Sequence, residues 1–179
     1  SGSISSSIPG VYQVITDLAV TSEGHHWFLS TPENFVRRVD HSNPELLAVL
    51  GTFGEAGSGD KHLQNPQRIT IKKDPDDKKE KVYISDKDNN RAQKYKIESG
   101  TELLSLEKSF PVLEPEGLDV DSKGNIYVYS AADKVLIKLD KDGTELTRWT
   151  SGPALSLSVY EGPKKPPSPN DDFIYSVGG

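Results

Sequence analysis

Gly117-Leu118-Asp119-Val120-Asp121-Ser122-Lys123-Gly124-Asn125-Ile126-Tyr127-Val128-Tyr129 decides how this chain is read. Its first four residues alternate, so Leu118 and Val120 share one face of a strand while Gly117 and Asp119 take the other. The next five are of hairpin length, with Gly124 where a turn profits from positive φ. Residues 126–129 then read as a second strand that is apolar on both faces, as a strand inside a stack of sheets must be.

The unit recurs. Asp17-Leu18-Ala19-Val20, Arg68-Ile69-Thr70-Ile71 and Ser156-Leu157-Ser158-Val159 repeat the first strand. Trp27-Phe28-Leu29-Ser30, Val82-Tyr83-Ile84-Ser85 and Phe173-Ile174-Tyr175-Ser176 repeat the second. From Leu18 to Ile69, Leu118 and Leu157 the spacings are 51, 49 and 39 residues, around the ~40–50 residues of a four-stranded propeller blade. Third strands are expected over 35–39, 91–95 and 134–139, and fourth strands over 46–50, 103–106 and 146–149. More charge falls on these outer strands, as befits solvent-facing edges. The expected fold is therefore all-β, a β-propeller of about three and a half blades. Residues 1–10 read as a flexible N-terminal segment or an expression remnant, and the blades as 11–51, 52–107, 108–150 and a partial 151–179. Such an arc is an incomplete ring, one completed by a second copy through exposed blade edges, or one closed by residues 11–15.

The charge balance limits the partners. Twenty-seven acidic residues against 21 Lys and Arg give a net charge of −6 with no basic stripe, which disfavours nucleic acid. No apolar run is long enough to span a bilayer, so no membrane role is expected. The absence of Cys leaves the redox compartment open; a secreted or extracellular setting is placed ahead of a cytoplasmic one. The run Lys72-Lys73-Asp74-Pro75-Asp76-Asp77-Lys78-Lys79-Glu80-Lys81 mixes both signs and reads as a solvated surface insertion between strands.

Gly51-Thr52-Phe53-Gly54-Glu55-Ala56-Gly57-Ser58-Gly59-Asp60, then Asn65-Pro66, Val82-Tyr83-Ile84-Ser85-Asp86 and Asn89-Asn90-Arg91 together resemble an NHL repeat: glycine-rich connector, Asn-Pro before the inner strand, aliphatic-Tyr second strand, then an Asp, Asn, Arg cluster. The third unit is similar but has Ala131-Ala132-Asp133-Lys134 in place of that cluster, and the first and fourth units agree in strand pattern alone. The resemblance implies a six-bladed-propeller relative and a structural role for Asp86, Asn90 and Arg91. Short polar side chains there bond local backbone and tolerate the left-handed region, and an Arg can bridge with five donors. The segment 51–59 lacks the Lys and Ser or Thr of a phosphate loop and precedes a strand, so it reads as a connector between blades.

Inner strands line a propeller's channel, and residues at its mouth can converge on a ligand. Thr16, Asp17, Gln67, Arg68 and Glu116 are the candidates. Catalytic residues are not expected. The four His do not form a metal set, since His25 and His26 are adjacent and His41 and His62 fall in loops, and no Ser sits in a nucleophile elbow. The expected function is a non-catalytic scaffold presenting blade loops to a protein, peptide or glycan, with no cofactor. The resemblance leaves two alternatives. One is a fragment of a cation-dependent six-bladed hydrolase or lyase, similar to phytases, gluconolactonases or amidating lyases, with calcium held by Asp17 and Glu116 through oxygen ligands. The other is an RNA-binding NHL domain.

Overall fold

A computed structural model describes residues 14–40, 48–99, 103–161 and 172–177. The segment 1–10, residues 11–13 of the closing strand, His41 and the start of the fourth strand expected at 46–50 lie outside them. The first sheet joins β1 (Asp17–Val20), β2 (His26–Ser30), β3 (Phe35–Asp40) and β4 (Ala48–Phe53). The second joins β5 (Pro66–Lys73), β6 (Glu80–Asp86), β7 (Arg91–Ile97) and β8 (Leu104–Pro111). The third joins β9 (Pro115–Val120), β10 (Ile126–Ser130), β11 (Val135–Leu139) and β12 (Glu145–Thr150), and β13 (Ser156–Glu161) pairs with β14 (Asp172–Val177) alone. Within these sheets the strands pair antiparallel between chain neighbours, and β1, β5, β9 and β13 touch one another in succession. This is a run of β-propeller blades, each meandering from the channel outward. Among the described residues the sole helical element is a 3-10 turn at Lys87–Asn89, and no helix is long and apolar enough to cross a membrane.

Three cores lie between the sheets, because each strand turns one side chain in two to each neighbour. Trp27, Leu29 and Val36 meet Ile69, Val82, Ile84 and Tyr95 at the first joint. Tyr83 and Ala92 meet Leu118, Val120, Ile126 and Val128 at the second, and Tyr127, Tyr129 and Leu136 meet Ala154 and Leu157 at the third. Leu18 pairs with Phe28, Ile69 with Ile84 and Leu118 with Val128. Trp27 therefore corresponds to Tyr83 and Tyr127, and the quartet 27–30 starts one residue late relative to 82–85 and 126–129, because a polar His26 hides the true start of the strand; 173–176 starts one residue early, since Leu157 pairs with Ser176.

The structure corrects two further expectations. Gly51, Thr52 and Phe53 belong to β4, paired with Arg38, Arg37 and Val36, because Phe53 is a core residue whose ring meets Tyr95 edge-on at 5.1 Å. The connector begins only at Gly54, whose φ of 101° carries the chain past the Asn34 carbonyl at a spacing that leaves no room for a Cβ. The run 72–81 is not simply solvated. β5 and β6 extend to Lys73 and Glu80, leaving a six-residue hairpin loop whose first residue, Asp74, accepts from the N–H groups of Asp76 (2.8 Å) and Asp77 (3.3 Å). Asp74 also binds Lys94 at 2.6 Å. Lys81 is 2% exposed between Asp77 (2.8 Å) and Glu107 (2.6 Å), and although burial alone would lower its pKa, those two carboxylates raise it.

Candidate functional site

Thr16, Asp17, Gln67, Arg68 and Glu116 fall at the same end of three adjacent inner strands, linked by a chain of hydrogen bonds. Thr16 Oγ1 accepts from Thr31 N–H (2.9 Å), and Thr31 Oγ1 donates to the Pro66 carbonyl (2.5 Å), tying blade one to the start of β5. Asp17 Oδ2 accepts from Ile69 N–H at 2.9 Å, across the joint. Ser85 Oγ accepts from Arg68 N–H and donates to the Glu116 carbonyl, both at 2.9 Å, carrying the link to blade three. Gln67 Nε2 is held by the side-chain and main-chain oxygens of Asn65 at 2.7 and 3.0 Å.

The two carboxylates of this mouth are both engaged. Asp17 spends one oxygen on a strand amide, and Glu116 Oε1 lies 2.6 Å from Lys87 Nζ. The hydrogen bond to Glu116 raises the Lys87 pKa against the effect of partial burial. Arg68 differs: Nη1 donates to the Gln67 carbonyl at 3.2 Å, while Nε is buried without an acceptor. Among the described residues no three His, Asp or Glu side chains gather as metal ligands, and Asp17 and Glu116 serve different joints. What the arrangement offers a ligand is the guanidinium of Arg68, since the amide nitrogen of Gln67 is already held by Asn65. At the other end of the inner strands an open cleft of about 500 Å³ lies between the β5–β6 hairpin and blade three, lined by Lys72, Lys73, Asp74, Lys78, Asp121 and Ser122 among others; there Lys72 is 3.2 Å from Asp119.

Asp86, Asn90 and Arg91 form a staple. Asp86, 0% exposed, accepts from Gln64 N–H (2.6 Å), Asn89 Nδ2 (2.8 Å) and Arg91 Nε (2.8 Å). Arg91 then reaches the carbonyls of Ser58, Gly59 and His62 at 2.9–3.0 Å, which fixes the glycine-rich connector against the β6–β7 turn. Asn90, in the left-handed region at φ 53°, accepts from Glu114 N–H at 3.0 Å, holding blade three. Sequence reading missed the equivalent in blade one: Asn34, φ 57°, accepts from Asn65 N–H at 2.7 Å. Its signal was positional, since Asn34 precedes β3 as Asn90 precedes β7. Lys134 takes the same position before β11, also at φ 57°, and cannot accept. The donor that would face it is Pro153, four residues before Leu157 as Glu114 is before Leu118 and Asn65 before Ile69, and proline has no N–H to give.

No protein-family model and no curated protein matches the chain. Solved structures do resemble it. A protein of unknown function from Bacteroides caccae superposes with a TM-score of 0.56 at 15% identity, over 82% of this chain and 50% of that one. A catalytically inactive virginiamycin B lyase from Staphylococcus aureus, determined with quinupristin, gives 0.55 at 14% identity, over 80% and 44%. Hydrazine synthase from Kuenenia stuttgartiensis gives 0.59 at 12% identity, over 87% and 42%. At such identities the likeness shows the fold alone, and the chain spans half or less of each neighbour's length.

Proposed function

We propose that this chain is part of an NHL-type propeller acting as a non-catalytic recognition scaffold, which receives a protein, peptide or glycan at the channel mouth. The NHL assignment draws on the Asp86, Asn90, Arg91 staple and its variant at Asn34. The binding reading rests on one observation: the mouth's carboxylates already bond the protein, whereas the half-buried guanidinium of Arg68 makes a single hydrogen bond, from Nη1 to the Gln67 carbonyl. A ligand carboxylate or carbonyl would pair with the accessible part of that guanidinium, a charge-assisted contact. Selection from a peptide-display library and a glycan array should therefore enrich ligands with a carboxylate near the contact, and Arg68→Ala should abolish their binding. Enrichment that ignores this variant would refute the reading.

The cation-dependent alternative would need calcium to take Asp17 from Ile69 N–H and Glu116 from Lys87. Metal that binds the native state raises its stability. A thermal scan with millimolar calcium against chelator is expected to show no shift, and a rise in Tm that is lost in an Asp17→Asn variant would favour the hydrolase or lyase reading. The RNA-binding alternative is opposed by the net charge of −6.

A further inference from the structure

Three side chains of blade two tie the second joint. Ser85 Oγ donates to the Glu116 carbonyl, Lys87 Nζ meets the Glu116 carboxylate, and Asn90 accepts from Glu114 N–H. Strand register fixes their counterparts one blade on. Ile84 pairs with Ile69 and Val128 with Leu118, so Ser85, Lys87 and Asn90 correspond to Tyr129, Ala131 and Lys134, and Glu114 corresponds to Pro153. Among the described residues none of those three counterparts makes a side-chain hydrogen bond to the following blade.

These exchanges leave a notch. Tyr129, Ala131, Lys134 and Pro153, the four altered positions, line an open cavity of about 300 Å³ together with Glu116 and Gly152 among others. All its walls come from residues 116–153, in blade three and the connector that follows it. Tyr129 is 3% exposed, its ring packed with Tyr127, Leu136, Ala154 and Leu157. Its hydroxyl meets no hydrogen-bond partner among the described residues and, unlike the Trp27 indole nitrogen or the Arg68 Nε, is not sealed from solvent. The notch therefore holds a fixed polar group with nothing to bond.

We infer that this notch receives an aromatic side chain with a polar tip, a tyrosine or tryptophan of a peptide ligand. Its volume lies at the bottom of the range of small-molecule pockets, which suits a single side chain. Ala131, Gly152 and Pro153 give it uncharged walls, and an aromatic anchor seated in such a recess carries much of the energy of recognition. The tip finds partners in the Tyr129 hydroxyl and in Glu116, which spends Oε1 on Lys87 and keeps Oε2. A sugar ring fits less well: it stacks on an exposed aromatic face, and the ring of Tyr129 is buried. The inference rests on the reading of the mouth as a ligand site and gives that ligand a second contact, since Ser85 ties Arg68 N–H to the Glu116 carbonyl beside the notch.

Amide chemical shifts of the isotope-labelled protein, titrated with N-acetyltyrosinamide to about 10 mM, test it. Saturable shifts are expected at the amides of 131–134 and 151–152, with the millimolar Kd of a small fragment, and none with N-acetylalaninamide or a methyl glucoside. Tyr129→Phe removes the partner of the tip and should weaken binding about two- to tenfold. Gly152→Phe fills the notch at a glycine where an added Cβ meets no atom within 4 Å; the shifts should vanish while the rest of the spectrum reports an intact fold. No response at the highest concentration, shifts that survive Gly152→Phe, or a response to the glucoside in place of the tyrosine probe overturns the proposal. If one variant misfolds, the other and the comparison of probes still decide. The probe has no carboxylate, so it reports the notch apart from Arg68. A silent notch with peptide selection that still depends on Arg68 leaves the mouth reading standing, whereas a notch that binds while selection ignores Arg68 removes the Arg68 contact alone.

Discussion

Replacing Asp86 by Ala gives the sharpest test of how the blades are held together. The carboxylate is fully buried and accepts from Gln64 N–H, Asn89 Nδ2 and Arg91 Nε at 2.6–2.8 Å. Breaking a buried ion pair by removing one partner costs about 3–5 kcal/mol. Arg91 would keep its three bonds to the connector carbonyls, so its charge is not stranded and the loss should fall near 3 kcal/mol. For a domain of this size that is a drop in Tm of about 6–12 °C. Asp86→Asn keeps an acceptor for Gln64 N–H and should lose only about 1–2 kcal/mol. Urea and thermal unfolding at one fixed protein concentration measure both variants, which removes any contribution from association. Because Asp86 and Arg91 act as one unit, the double variant with Arg91→Ala should cost about 1–3 kcal/mol less than the sum of the singles. An Asp86→Ala protein within about 0.5 kcal/mol of the parent, or strict additivity with Arg91→Ala, would refute the staple.

Other perturbations separate the remaining contributions. Burial would raise the pKa of Asp74, but the Lys94 ammonium and the N–H groups of Asp76 and Asp77 prevail and hold it at about 2. That depressed folded-state pKa contributes about 2 kcal/mol, present above the ordinary carboxylate range and lost as pH falls through about 2. The stability gap between the parent and Asp74→Asn should therefore be full at neutral pH, narrow below about pH 4 and close near pH 2, as acid unfolding curves would show. Asn90→Ala should cost about 1–2 kcal/mol by orphaning Glu114 N–H and placing Ala at positive φ. Lys134→Asn should gain at most about 0.5 kcal/mol, since it eases the left-handed backbone but faces Pro153, and chemical denaturation would resolve the two. Gly117→Ala would set a Cβ 2.3 Å from the Ala154 carbonyl. An overpacking cost of about 1–3 kcal/mol is expected, with amide exchange accelerated first in β13.

Strand order was legible in the sequence because inner strands with an aliphatic pair and second strands with apolar runs have different periodicities. The place of Thr16, Asp17, Gln67, Arg68 and Glu116 at the start of inner strands was legible too. What they do was not. Asp17 and Glu116 look like free carboxylates in sequence, and only the approach of a neighbouring blade shows that Ile69 N–H and Lys87 already engage them. The burial of Lys81 was hidden for the same reason: its partner Glu107 lies on β8, 26 residues away. Asn34 escaped notice because a single Asn in a turn has many ordinary explanations, and its meaning appears only when Asn65 N–H is seen to face it.

The joints are unequally reinforced, and this bears on where binding can occur. Between blades one and two, Asn34, Thr31 and Asp17 each bond the next blade's backbone. Between two and three, Asn90 and Ser85 do so and Lys87 pairs with the Glu116 carboxylate, with Lys141 binding Asp76 at the opposite end of the blades. Between three and four, the Asn position is Lys134 and its donor is Pro153, leaving the Asp119 bond to Val159 N–H at 2.7 Å and the close approach at Gly117. Thr16, Gln67, Arg68 and Glu116 all lie across the two stronger joints, so the mouth is held rigid whether or not the arc is closed, and a preorganised donor such as Arg68 loses little entropy on binding. Among the described residues the β13–β14 pair is tied to its preceding blade by the fewest bonds, and it should open first. Amide exchange should therefore be faster in β13 than in β5, where Asp17, Thr31 and Asn34 hold the preceding joint.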